Sequence, residues 1–363
     1  MAEAVKVLII DPSTPFKRAL DALLSRDDDM KVLGRLIACE RATDFIMQTP
    51  PDVVILDISL PDALDFIRWI QRFNVDYPAV PEIGIILVAS RSHRLADVTI
   101  QALEAGAFDF VTRPDAVDIN DVAMAVHRQL LVKVRSFSSK RIFSSLAASA
   151  PRKSAPAPTT CAIPRPPADA SKIRAVVIGV STGGPKALSL LLPALCAQTS
   201  LPIFIVQHMP ANFTESLAQS LNAKCRHSVV EAKDMTSVTP ETVYIAPGGR
   251  HMRLARNASR APMVSLSDDP PVDGCRPSVN MLFDSAADVY AGNVVAVVLT
   301  GMGSDGTRGL AALKRVGAYV LAQDKASSVV WGMPGSAVAS GHVDKVAALD
   351  DIACEVANVM RGL

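Results

Sequence analysis

Three side chains of the kinds that make an activated serine nucleophile each follow a short apolar run in the C-terminal half of the sequence. Ser181 lies in Gly179-Val-Ser-Thr-Gly-Gly184, which fits the G-x-S-x-G elbow: a sharp strand-to-helix turn that exposes a serine hydroxyl. The start of the following helix offers backbone N–H groups to an oxyanion. A serine hydroxyl is a weak nucleophile until a neighbouring base takes its proton. His208, after Ile203-Phe-Ile-Val-Gln207 and before Met209-Pro210, can be that base, because a neutral imidazole near pH 7 accepts and returns a proton. Asp305, in Thr300-Gly-Met-Gly-Ser-Asp-Gly306, can hold the imidazole tautomer. Other uses are open for each residue. A Gly-rich turn can bind phosphate, a histidine can sit in the core, and an aspartate can cap the helix that follows. Pro185 stands where a phosphate-binding Walker loop needs Lys, and the G-x-G-x-x-G dinucleotide spacing is absent.

The elements that must position these groups follow from hydrophobic periodicity. In residues 173–363, strands are expected at Ile173–Val180, Pro202–Gln207, Val243–Ala246, Val294–Thr300 and Ala318–Gln323. Helices are expected at Lys186–Cys196, Phe213–Asn222, Ser278–Tyr290, Thr307–Val316 and Leu349–Met360. Ser228–Glu231, Met252–Arg256 and Met263–Leu266 read as additional, antiparallel strands. In residues 1–132, apolar runs at Val5–Ile10, Val32–Ala38, Val53–Leu56, Ile83–Ala89 and Phe108–Val111 alternate with amphipathic stretches, the last at Asn120–Val134. Five such repeats predict a five-stranded parallel sheet covered by helices. Functional groups of such sheets gather beyond the carboxyl ends of the strands. Here these are Asp11, Asp57, Ala89 and Arg113. Both blocks therefore belong to the α/β class.

Charge divides the chain in the same places. Residues 1–132 carry 20 acidic and 13 basic side chains, residues 133–174 carry 9 basic and 1 acidic, and residues 175–363 carry 15 of each. The predicted division is 1–132, a basic Pro/Ala/Ser-rich linker at 133–172, and 173–363. The linker's charge reads as solvation rather than a nucleic-acid contact, since residues 175–363 lack a basic recognition pattern. No apolar stretch reaches the length of a membrane helix, and no secretory signal is visible. The six cysteines are scattered without a C-x-x-C pair, consistent with free thiols in a cytoplasmic protein.

The C-terminal block resembles the catalytic domain of chemotaxis-type protein-glutamate methylesterases. The resemblance rests on V-I-G-V-S-T-G-G-P at 177–185, V-Q-H-M-P at 206–210, Y-I-A-P-G-G-R-H at 244–251, R-P-S-V-N at 276–280, T-G-M-G-S-D-G at 300–306 and W-G-M-P at 331–334. It implies a doubly wound domain with a largely parallel sheet and a triad of Ser181, His208 and Asp305. The N–H groups of Thr182 and Met302 are the candidate oxyanion donors. It implies hydrolysis of glutamyl methyl esters on the cytoplasmic domain of a chemoreceptor to glutamate and methanol, with receptor glutamine deamidation in some members and no cofactor. Asn280 and Lys325 stand where the family pattern suggests Asp and Glu.

The N-terminal block resembles the family's flavodoxin-like receiver, through P-D-V-V-I-L-D at 51–57 and E-A-G-A-F-D-F-V-T-R-P at 104–114. The resemblance implies Asp57 as phosphoacceptor, Mg²⁺ held at Asp11 and Asp57, and a histidine kinase as phosphate source. Several positions depart from it. Pro12 replaces a second acidic residue, Ala89 replaces a hydroxyl residue, Arg113 replaces Lys, and the loop at 60–65 is short. The alternative expectation is a response regulator that acts by binding, with a pseudo-receiver that works without phosphate.

Overall fold

The computed structural model describes residues 4–90, 92–114, 118–149 and 173–362. The chain divides into two compact units, Met1–Arg152 and Lys153–Leu363.

In the first unit, β1 (Val5–Ile10), β2 (Met30–Leu36), β3 (Val53–Asp57), β4 (Gly84–Ala89) and β5 (Asp109–Thr112) form one sheet in the order β2-β1-β3-β4-β5. All its pairings are parallel. Strands β3, β4 and β5 are buried along their whole length, as a sheet covered on both faces requires. The covering helices are α1 (Thr14–Leu24), α2 (Ala42–Gln48), α3 (Ala63–Asp76), α4 (His93–Glu104) and α5 (Ile119–Ser149). This is the flavodoxin-like order, with its switch point between β1 and β3, where Asp11 and Asp57 emerge.

Helix α5 corrects one expectation. The sequence pattern closes this helix at Val134, with linker beyond it, yet it runs to Ser149. Leu130, Val134 and Phe137 are spaced to share one helix face, and all are buried. Phe137 packs edge-on against Phe108 at 5.1 Å and fills the space above Gly84. The rest of the predicted linker, residues 150–172 with Cys161, lies outside the described residues.

The second unit holds a seven-stranded, wholly parallel sheet. Its strands are β6 (Ala175–Val180), β7 (Ile203–Gln207), β8 (Ser228–Glu231), β9 (Thr242–Ile245), β12 (Val294–Val298), β13 (Tyr319–Gln323) and β14 (Lys345–Ala347), in the order β14-β13-β12-β6-β7-β9-β8. Strands β10 (His251–Arg256) and β11 (Pro262–Ser267) make a separate antiparallel hairpin, as expected. Ser228–Glu231 does not join them. It pairs in parallel with β9 at the sheet edge, where an alternating burial pattern suffices. Helices α6 (Gly184–Gln198), α7 (Phe213–Asn222), α8 (Val279–Tyr290), α9 (Thr307–Arg315), α10 (Met333–Ala339) and α11 (Leu349–Arg361) complete the unit. From β6 the chain winds first toward β7 and later returns on the other side through β12. The connections therefore diverge beyond the ends of β6 and β12 and leave a crevice there.

Candidate active site

The crevice collects the three residues singled out by sequence. Ser181 follows β6, His208 follows β7, and Asp305 lies in the loop between β12 and α9. His208 Nε2 is 2.8 Å from Asp305 Oδ2. Among the described residues the Ser181 hydroxyl makes no hydrogen bond, and its backbone is fixed instead. Ser181 N–H donates to Thr300 O at 3.0 Å, and Gln207 Nε2 donates to Ser181 O at 2.9 Å and to His208 O at 3.2 Å. A serine–base contact tightens in many hydrolases only when substrate binds.

Two glycines make the serine turn feasible. Gly183 has φ +80°, a left-handed conformation that opens α6 directly after the turn. Gly301 passes under the serine: a Cβ there would lie 2.7 Å from Ser181 Cβ and 2.5 Å from Met333 Sδ. The W-G-M-P string braces that close approach, with Gly332 N–H and Met333 N–H both donating to Gly301 O.

Asp305 is buried yet surrounded by donors. Its carboxylate accepts from Ser278 Oγ (2.9 Å), Val279 N–H (2.7 Å), Asn280 N–H (3.0 Å) and its neighbour Gly306 N–H (2.9 Å), besides His208. Val279 and Asn280 open α8, so the carboxylate sits on a helix N-terminus, where an anion is favoured. Burial pushes its pKa up, but the His208 contact and these amides prevail and hold it below the usual carboxylate value. For His208, burial opposes the charged ring. The bonds and charge of Asp305 and Cys275 outweigh it and raise the imidazole to about 9. Cys275 Sγ lies 3.9 Å from His208 Nδ1.

The alternative of Asp305 as a helix cap is resolved by a residue that sequence reasoning noted only as a departure. Asn280 Oδ1 accepts from Gly306 N–H at 3.1 Å and Gly309 N–H at 2.8 Å, so Asn280 shares Gly306 N–H with Asp305 Oδ1, alone meets Gly309 N–H, and leaves Asp305 Oδ2 to His208 and Val279 N–H. Ser278 and His251 were also unassigned. Buried His251 accepts from Ser278 N–H at Nδ1 (3.2 Å) and faces Pro270 O through Nε2 (3.1 Å), which fixes a neutral tautomer and seats the R-P-S-V-N segment. The signal for Ser278 was that string, placed just before a helix start, and for His251 the end of Y-I-A-P-G-G-R-H. Thr182 and Met302 occupy the turns beside Ser181 and Gly301, and Thr300 Oγ1 ties the two turns by donating to Thr182 O at 3.0 Å. A cavity of about 460 Å³ lined by Arg174, Pro202, Arg256, Tyr290 and Asn293 opens at the other ends of β6, β7 and β12, away from these groups.

In the first unit, Asp11 and Asp57 are brought together at the switch point. Arg113 Nη2 donates to Asp11 Oδ2 and, at 2.9 Å, to Asp57 Oδ2. The remaining oxygens accept from Ser13 N–H (2.7 Å) and Ser59 N–H (2.8 Å). The guanidinium rests 4.2 Å from the Phe16 ring centroid. Lys17 is buried and donates to Asp11 O. Burial pushes Asp11 up to about 6, against the opposing pull of Arg113. The two side-chain cations balance the two carboxylates, and every carboxylate oxygen already has a donor. Mg²⁺ demands near-octahedral oxygen ligation. With Arg113 between the carboxylates, the residues present do not fit that ion.

Comparison with known proteins follows the same division. Residues 176–356 match the family model described as CheB methylesterase, and residues 7–124 match the response regulator receiver domain. A protein-glutamate methylesterase/protein-glutamine glutaminase of Desulfotalea psychrophila is 36% identical and covers 98% of this chain and 99% of its own. One from Bordetella bronchiseptica is 40% identical, covering 96% and 95%. The crystal structure of the Thermotoga maritima CheB methylesterase catalytic domain is 40% identical, with a TM-score of 0.50, and covers 51% of this chain and 97% of that one. End-to-end similarity at this level, over both a receiver and a methylesterase domain, shows that the chain belongs to the protein-glutamate methylesterase/protein-glutamine glutaminase family.

Proposed function

We propose that the second unit is a serine hydrolase that converts glutamyl methyl esters of chemoreceptor cytoplasmic domains to glutamate and methanol. The supporting observation is the 2.8 Å His208–Asp305 pair in the crevice beside the Ser181 turn. Asp305 holds the Nε2 proton, which leaves Nδ1 as the nitrogen that serves Ser181. The ring is used in the opposite sense to the serine protease template, where Nδ1 faces the carboxylate. Ser181 Oγ attacks the ester carbonyl as Nδ1 takes its proton. The oxyanion is met by Thr182 and Met302 N–H. Nδ1 returns the proton to departing methanol, and water then releases the glutamate by the same route. A side-chain amide enters identically with ammonia as leaving group, which is the deamidation named for the relatives. No step needs a cofactor.

The comparisons favour this reading over a regulator that acts only by binding. The substrate's place on a receptor's cytoplasmic domain puts the enzyme in the cytoplasm. Among the described residues no helix is long and apolar enough to cross a membrane. A chemosensory histidine kinase is the partner the receiver match suggests, and Arg113 between Asp11 and Asp57 argues that this receiver works without Mg²⁺ or phosphate. The test of the hydrolase is methanol release from methylated receptor by the wild type and Ser181→Ala. Loss of at least about 10⁴-fold is expected, and undiminished release by the variant refutes the nucleophile.

A further inference from the structure

His208 has one nitrogen committed and one available. Asp305 fixes Nε2 at 2.8 Å, and Nδ1 faces Cys275 Sγ at 3.9 Å. Cys275 Sγ, a His208 nitrogen and a carboxylate oxygen of Asp305 all lie within 4.8 Å of one another. In metal sites, a ligating histidine characteristically gives its second ring N–H to a carboxylate, which fixes the ring and strengthens the ligand. The Asp305–His208 pair reproduces that arrangement, with a sulfur opposite the free nitrogen. A zinc ion takes sulfur at about 2.3 Å and imidazole nitrogen at about 2.0 Å, a combined reach that spans the observed gap at an obtuse angle. Cys275 and His208 are both partly exposed, so the pair is open to solvent. Asp305 is saturated by five donors and serves as the orienting carboxylate, not a ligand.

We propose that His208 Nδ1 and Cys275 Sγ form a binding site for a thiophilic divalent cation such as Zn²⁺, and that its occupation reversibly switches the esterase off. The proposal rests on the assignment of His208 as the base. Binding displaces the Cys275 thiol proton to solvent and takes up the Nδ1 lone pair that would accept the Ser181 proton. Two protein ligands leave the other coordination positions to water, so chelation restores activity. A thiolate and an imidazole select zinc-like ions over Mg²⁺ or Ca²⁺, which favour oxygen. Of the two ligands, His208 belongs to the V-Q-H-M-P string that carries the family resemblance, while Cys275 lies just before R-P-S-V-N and in none of the six strings.

Two measurements on the full chain decide it. The first is titration of the Ser181→Ala variant with Co²⁺, read by the thiolate-to-cobalt charge-transfer absorption and independent of turnover. A one-to-one band that disappears in the Ser181→Ala/Cys275→Ser variant is expected. No band, or a band that survives in the double variant and so belongs to another cysteine, overturns the site. The second is Zn²⁺ inhibition of methanol release by the wild type and Cys275→Ser, each scaled to its own metal-free rate. The half-inhibitory concentration should rise at least about tenfold in the variant, with EDTA reversing inhibition of the wild type. Equal sensitivity of the two overturns the switch. If Ser181→Ala stays active, the nucleophile assignment fails, while the cobalt result still decides the metal site.

Discussion

The chemistry of the site turns on one buried carboxylate. Asp305 is kept ionised by the start of α8 and by His208, and in return it stabilises the charged imidazole. Catalysis needs the neutral ring, so kcat/KM should climb as pH rises from 7 toward the His208 value of about 9. The same pair stabilises the fold over a defined window. The raised imidazole contributes fully below its unfolded value of 6.5, and that contribution fades as pH rises through about 9. The depressed Asp305 contributes above 3.8 and loses this as pH falls through its lower folded value. Asp305→Asn should remove the largest raising influence on the ring and lower the His208 pKa from about 9, read by NMR titration of its ring protons. Activity should fall about 10⁴-fold, as expected when the tautomer is lost. An unchanged His208 titration would show that Asp305 does not set the ring's charge. The residue types of this pair were legible in the sequence. Which ring nitrogen meets which partner was not, because ring orientation depends on Asp305 and Cys275, 97 and 67 residues away.

At the scale of elements, two helix starts share one carboxylate and one amide. Helix α8 donates Val279 and Asn280 N–H to Asp305, while α9 is met by the Asn280 side chain. Asn280→Ala would leave the buried Gly309 N–H without its acceptor, while Gly306 N–H keeps Asp305. The catalytic unit should lose about 1–3 kcal/mol, measured as a shift of its denaturation midpoint, and a midpoint within error of wild type would remove Asn280 as the cap. Elements with strong apolar period were readable: β1 and α7 match their predicted limits, and β6, β7 and β13 differ only at the first residues. Short α2, α10 and β14 were not predicted. They are held by neighbours rather than by a period of their own, as when Gly332 and Met333 fasten the start of α10 to Gly301. The strand at Ser228–Glu231 was readable as a strand but not in direction, since an edge strand's alternation is the same for either orientation.

For the molecule as a whole, the two units differ in how complete their sites are. The second unit brings Ser181, His208 and Asp305 to one crevice, with His208 and Asp305 2.8 Å apart. The first retains Asp57, but Arg113 bridges it to Asp11 where a receiver would seat its metal. Incubation of the full chain with acetyl phosphate and Mg²⁺ should therefore give no Asp57-dependent mass increase. A stoichiometric increase, abolished by Asp57→Asn, would show that the guanidinium yields to metal. The charge segregation locates the change from the first block to the second, but a basic, Pro/Ala/Ser-rich composition over 133–172 does not show where helix gives way to linker. The first part of that segment continues α5, through the packing of Val134 and Phe137.

The sequence by itself determined the α/β class, the strand-end positions of Ser181, His208, Asp305, Asp11 and Asp57, and the family. These depend on local periodicity and on residues adjacent in the chain, which a sequence records directly. Only the tertiary structure decided that Asn280 shares the capping of α9 with Asp305, that Nδ1 is the free face of His208 beside Cys275, and that Arg113 lies between two carboxylates. Each joins residues far apart in the chain at a switch point of a parallel sheet, and their distances there are set by strand order, which periodicity does not encode.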